Sequence, residues 1–161
     1  MKLYIKQKIF SIGDKYDIYD QNQNAVYSAW GEVFALGNKL HLCDASGKEV
    51  VFIKQRLLTL LPKFELIVNG ELFATINKKF TFFYKKIEVE SPYGNITIDG
   101  SFWDHDYSIS VDGKLFGSVH KVWMTWGDSY ELDINTEDHP EFFVALVLAI
   151  DSILEGEKNH N

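Results

Sequence analysis

The sequence predicts a closed antiparallel β-barrel wrapped around an apolar C-terminal helix, and three observations support this. Most of the chain is a succession of short segments of alternating polarity separated by turn signals. The C-terminal stretch breaks that alternation with a long run that has no polar side. Composition leans the same way: 15 % of residues are aromatic, with 12 Phe, 8 Tyr and 4 Trp against 3 Pro, and aromatic residues favour pleated, half-buried surfaces. At 161 residues the chain has the size of one domain, expected over 1–161. A chain of that length buries roughly two-thirds of its unfolded surface without a metal or disulfide.

Taken in order, Tyr16 to Tyr19 leads into Asp20-Gln21-Asn22-Gln23-Asn24, Lys39 to Cys43 into Asp44-Ala45-Ser46-Gly47, and Phe64 to Val68 into Asn69-Gly70. Ile87 to Glu90 precedes Ser91-Pro92-Tyr93-Gly94, Ile96 and Ile98 precede Asp99-Gly100, and Ile109 and Val111 precede Asp112-Gly113. Asn-Gly and Asp-Gly supply the positive φ angles of tight hairpins, so the segments read as a meander. Laying Phe64 onward on Tyr107 onward without gaps matches Val68 to Val111, Gly70 to Gly113, Phe73 to Phe116 and Phe80 to Trp123, an offset of 43 residues. Two clear copies are too few for a propeller, which needs at least about four blades. Repetition inside one closed barrel accounts for them.

A helix is expected over about 139–154. Asp138 stands three residues before Glu141, the spacing of a capping box, and Pro140 suits a first turn. Phe142 to Ile150 is unbroken apolar, Asp151-Ser152 interrupts, Ile153 and Leu154 follow, and Gly156 supplies a stop, leaving 156–161 as a disordered tail. Nine apolar residues fall short of the roughly 20 that span a bilayer, so the helix belongs inside protein, and a wall must surround it. Closure also removes the exposed edges of the strands. Asp151 in such a helix either marks the point of emergence or accepts hydrogen bonds from barrel residues at the rim; a proton relay ranks below both.

Three features together carry a family resemblance: Val68-Asn69-Gly70 with Val111-Asp112-Gly113, the aromatic strand around Trp123 and Trp126, and Tyr130 to Ile134 leading into Phe142-Phe143-Val144-Ala145-Leu146. Over nearly its whole length the chain resembles the LURP-one-related proteins, grouped with tubby C-terminal domains and phospholipid scramblases. The resemblance implies a mainly β fold, a closed barrel of about twelve antiparallel strands around a central C-terminal helix, and no enzyme chemistry. Tubby domains bind phosphoinositide head groups through basic residues on the barrel exterior, and scramblases are membrane-linked and calcium-responsive.

Net charge is −7, which argues against nucleic-acid binding. From Lys48 to Lys86, however, eight basic residues face three acidic ones, a local +5. Lys54, Arg56, Lys63, Lys78, Lys79, Lys85 and Lys86 are therefore the candidate ligands for an anionic phospholipid surface, with the aromatic run Phe80 to Tyr84 between the lysine pairs. The ordinary explanation is that lysines keep barrel strands solvated. The alternative function is a protein adaptor using an aromatic patch around Trp103, Trp123 and Trp126.

Asp104-His105-Asp106, near Asp99, and Asp133 to Asp138 are acidic stretches without the order of a calcium loop, and turn and cap roles account for them. The single cysteine, Cys43, excludes an intrachain disulfide and suits a reducing compartment. Its conceivable catalytic partners are His41 and His120, with no third group indicated. No cofactor, metal or enzymatic activity is expected. The lysines in Met1 to Lys6 argue against a signal peptide or anchor, so the expected location is cytoplasmic, with lipid binding placing the protein at the membrane periphery.

Overall fold

Alternation turns nearly every predicted segment into a strand in the computed structural model, which describes residues 1–8, 11–80, 85–124 and 127–158. The side chains at 80, 85, 123–124, 127–128 and 158 lie outside that description. The strands are β1 (Lys2–Gln7), β2 (Lys15–Tyr19), β3 (Ala25–Gly31), β4 (Lys39–Asp44), β5 (Glu49–Gln55) and β6 (Lys63–Val68). They continue as β7 (Glu71–Phe80), β8 (Lys85–Ser91), β9 (Gly94–Ser101), β10 (Asp106–Val111), β11 (Lys114–Met124) and β12 (Gly127–Ile134). Each pairs antiparallel with its sequence neighbour, and β1 pairs with β12, so twelve strands close into an up-and-down barrel. The Met1 amine donates to the Ile134 carbonyl at 2.7 Å along that closing seam.

Every second residue faces the lumen: Ile5, Ile18, Leu42, Ile53, Leu66, Ile76, Ile98, Ile109 and Leu132 are fully buried. The lumen is filled by α1 (Pro140–Lys158), in which Val144 to Ile150 have no solvent-exposed surface. At 1.5 Å per residue, nineteen residues make a rod about 28 Å long. Phe116, on β11, stacks on Phe143 with ring centroids 4.9 Å apart, and Phe73, on β7, meets Phe142 edge-on at 5.4 Å. The 43-residue repeat thus grips the two phenylalanines at the start of the helix from two sides. Among the described residues, no helix is long and apolar enough to cross a membrane.

Several expected boundaries move. His139, with φ 50°, precedes the helix, and the Glu141 carboxylate meets the His139 ring at 3.1 Å in place of the capping box with Asp138. Gly156 does not end α1, which runs to Lys158, because Glu155 accepts from Gln7 at 3.1 Å and Glu157 pairs with Lys78, tying the last turn to the wall. Residues 159–161 of the expected tail lie outside the described residues. Asp99-Gly100 is not a hairpin turn: β9 continues to Ser101, and the chain reverses through a 3₁₀ turn at Phe102–Asp104 with His105 at φ 50°. A Cβ on Gly100 would fall 2.5 Å from the Asp106 carbonyl oxygen, so glycine permits the close approach of β9 to β10.

A second period joins the first. β-bulges fall at Ile18/Tyr19, Leu42/Cys43 and Leu66/Ile67, 24 residues apart, and the bulge at Ile109/Ser110 lies 43 beyond the last. The meander places the β1–β2, β3–β4, β5–β6 and β9–β10 connections at the end where α1 terminates, called the crown below.

Candidate functional site

Three crown loops are copies in sequence, and their described residues share one pattern of neck hydrogen bonds; residues 9 and 10 of the first lie outside the described residues. Lys8 to Lys15, Glu32 to Lys39 and Arg56 to Lys63 align at the 24-residue spacing, each opening on a charged residue and closing on a lysine that starts the next strand. The N–H of Lys8, Glu32 and Arg56 donates to the carbonyl of Lys15, Lys39 and Lys63 at 2.8, 3.1 and 2.8 Å. Ser11 and Thr59 hydroxyls, at equivalent positions, donate back to the carbonyls of Lys8 and Arg56. Neighbouring loops touch: a Cβ on Gly13 would lie 3.0 Å from Val33, and one on Gly37 2.8 Å from Leu57.

The copies share an apolar tip. Among the described residues twelve large apolar side chains are exposed, and seven stand in these loops: Ile12, Val33, Phe34, Leu36, Leu57, Leu58 and Leu60. Phe34, Leu58 and Leu60 are fully exposed. Single exposed leucines are ordinary, whereas a contiguous cluster marks a surface that something covers. The sequence analysis passed over these loops because the 43-residue offset does not include them. A search for self-similarity at 24 residues, with Lys15, Lys39 and Lys63 in register, finds them.

The seven predicted cations do not converge. Lys54 and Arg56 line an open depression of about 440 Å³ together with Lys39, Leu36, Leu57 and Glu65. Lys63 lies on the adjoining strand, outer-facing, opposite Asn77. Arg56 is 3.7 Å from Glu65 and stays half exposed. Lys79 pairs with Glu88, which also lies 3.8 Å from Lys86, so these two cations sit on the outer wall with an acidic neighbour. Lys78 is a correction: at 4 % exposed it faces the lumen and pairs with Glu157 of α1. Consecutive strand residues point to opposite faces, so Lys78 and Lys79 cannot share a surface. The Lys85 side chain lies outside the described residues.

Other candidates are engaged structurally. Asp104 accepts from Ser101, His105 turns inward to place Nε2 2.8 Å from Asp151 Oδ1 and stacks on Tyr130 at 4.0 Å, and Asp106 lies 2.7 Å from the His120 ring. Three consecutive residues thus face three ways, and among the described residues no cluster is suited to hold a metal. Asp151 is buried at 4 % exposure, in agreement with hydrogen bonding at the rim and not with emergence of the helix. Burial, with the charge of Asp151 second, pushes the Tyr16 and Tyr107 phenols far above their usual range.

His41 and Cys43 are on one face, as expected, but both ring nitrogens of His41 contact carboxylates, Nε2 at 2.9 Å from Glu32 and Nδ1 at 2.5 Å from Glu49. Its ring is stacked between Trp30 and Phe52, at 4.1 and 4.7 Å. Burial, reinforced by Glu49, raises the Cys43 thiol, which leaves it mostly protonated. Of the expected aromatic patch, Trp103 is 41 % exposed, and Trp126 and the Trp123 side chain lie outside the described residues.

Fold and surface together define a barrel built around its own C-terminal helix, in which the chain occupies the lumen and a ligand would meet the outside. The chain belongs to the LURP-one-related family, whose sequence profile matches residues 1–151. It is 33 % identical over 161 residues to the Uncharacterized protein YxjI of Bacillus subtilis (strain 168), an alignment that covers 100 % of this chain and 98 % of that one. A solved X-ray structure of a protein from Arabidopsis thaliana superposes with a TM-score of 0.66 at 17 % identity, covering 94 % of this chain and 91 % of the other; at that identity the likeness speaks for the fold alone.

Proposed function

We propose that this protein is a non-enzymatic module that binds anionic phospholipid head groups, and that it does so at the crown, displaced from the outer-wall strip that Lys78 to Lys86 suggested. The observation that carries this reading is the set Lys39, Lys54 and Arg56, held around one depression, with Lys63 outward on the adjoining strand, on a chain of net charge −7. Lys39 and Lys54 are direct cross-strand neighbours; Lys39 lies 3.4 Å from Glu32 and Lys54 stands opposite Glu65, so with Arg56 three cations meet two carboxylates and an added anion would offset the excess. The filled lumen directs binding to the exterior, and the engaged state of His41, Cys43 and His105 supports a role without catalysis. Such a protein would work at the periphery of a membrane.

Sedimentation with vesicles of phosphatidylglycerol and phosphatidylcholine in equal parts tests this. Each cation near an anionic surface contributes about 1 kcal/mol, so Lys54→Gln/Arg56→Gln/Lys63→Gln should weaken binding on the order of a hundredfold at low salt. Binding that is insensitive to both salt and these substitutions would sink the lipid reading and favour the adaptor, for which Trp103→Ala in a protein capture assay is the corresponding test.

A further inference from the structure

We propose that the three repeated crown loops are a membrane anchor: Ile12, Phe34, Leu36, Leu58 and Leu60 enter the boundary between head groups and acyl chains, while Lys15, Lys39 and Lys63 remain among the phosphates. This deepens the lipid reading above and rests on it. Full exposure of a leucine or phenylalanine gives up the apolar burial that drives folding, and here it recurs at equivalent positions in consecutive loops. The loops are not slack. Each is closed by a backbone hydrogen bond across its neck, and Asp14 and Asn38 carbonyls accept from Gly31 and Gln55, both at 2.8 Å. The tips are thus held outward, where a floppy loop would fold them back onto the barrel.

Backbone and charge point to the same partner. Leu58 sits at φ 59°, a region that non-glycine residues adopt at a cost, and its side chain gains no burial in return. The three eight-residue copies contain Lys8, Lys15, Lys39, Arg56 and Lys63 against Asp14 and Glu32, a net +3 on an acidic protein. Each closing lysine follows the second apolar tip, Ile12, Leu36 or Leu60, by three residues. Apolar groups at the tip with cations just behind is the polarity of an interfacial anchor, whose apolar face sinks roughly 5–10 Å below the phosphates. Leu36 and Leu57 border the depression of about 440 Å³ and Leu60 a second one of about 420 Å³, while Phe34 and Leu58 stand fully exposed outside both linings.

Two preparations separate this inference from the lipid reading itself. In Phe34→Ser/Leu58→Ser/Leu60→Ser the removed side chains are fully exposed, so the melting temperature should be unchanged. Each loss should cost vesicle affinity roughly tenfold. The wild type should keep part of its binding in about 1 M salt, where the Debye length is about 3 Å, and the variant should lose it. For depth, the sole native cysteine is removed as Cys43→Ser, and Leu58→Cys is labelled with an environment-sensitive fluorophore; Asn22→Cys, in the β2–β3 turn at the opposite end, is the control. A blue shift at 58 on adding the equal-part vesicles, with none at 22, is the expected result. Wild-type binding that salt abolishes completely, with no shift at 58, would overturn insertion and leave head-group binding standing. No sedimentation at low salt would overturn both. Concentration-dependent dimers that the triple serine variant abolishes, without vesicle binding, would assign the crown to a second copy of the chain and equally overturn the proposal.

Discussion

Lys78 and Lys79 are adjacent, carry the same charge, and end on opposite sides of the barrel wall. Replacing Lys78 by Met should leave vesicle binding untouched and lower stability by about 1–3 kcal/mol in urea titration, because Glu157 then loses its partner in a mostly buried position. Asp151→Ala should cost a similar amount, about 1–3 kcal/mol, by leaving His105 without its acceptor. A loss near zero would return to the view that α1 emerges at that point. The carboxyls of Asp20, Glu32, Asp44 and Glu88 lie below their usual values, held mainly by hydrogen bonds from Asn24, His41, Ser46 and Lys79. A lowered folded value gives stability that is present above the usual carboxylate range and is lost as pH falls through the folded value. Half-buried Asp14 is raised by burial and opposes this. Four groups against one predict a melting temperature that falls below about pH 4. At this scale the sequence showed which residues carry charge; it did not show which side of the wall each faces, since that needs the strand phase.

Elements were more legible than residues. The helix was readable because nine consecutive apolar residues leave no alternative to burial, and the hairpins because Asn-Gly and Asp-Gly demand positive φ; Asn69 and Asp112 have φ of 52° and 48°. Asp99-Gly100 misled for a physical reason: glycine also serves close backbone approach, and a dipeptide does not say which of the two uses applies. The crown loops escaped because few of their matching positions hold identical residues, Phe34 matching Leu58 and Gly37 matching Leu61. The repeated phenylalanines permit a test of α1 as a packed element. Phe143→Ala removes a fully buried ring stacked on Phe116 and should cost about 3–5 kcal/mol, measured by chemical unfolding, where Phe34→Ser should cost nothing measurable.

For the molecule as a whole, the core is shared between a wall and a rod, and neither half buries its apolar face alone. A chain cut before Pro140 would keep all twelve strands and lose the side chains from Phe142 to Leu154 that fill the lumen. Such a chain should fail to give a cooperative melting transition and should precipitate, whereas adding back the 140–158 peptide in excess should recover soluble barrel. Closure of the barrel was predictable, since a helix without a polar face needs a surrounding wall. The gathering of exposed apolar side chains at the crown was not, because it depends on which loops the closure brings side by side.

The helix that fills the centre follows all twelve strands in sequence, and this bears on biogenesis. Sealing β1 to β12 around a filled lumen requires α1, so until residues 140–158 are made the lumen-facing side chains of the strands lack the element that covers them. Contacts between the first strand and the last elements span almost the whole sequence, which favours slow closure. A nascent chain in that state has two sticky surfaces, the lumen-facing one that α1 will later cover and the crown loops that α1 never covers. The same chain should therefore gain from a chaperone that shields both surfaces until α1 is in place.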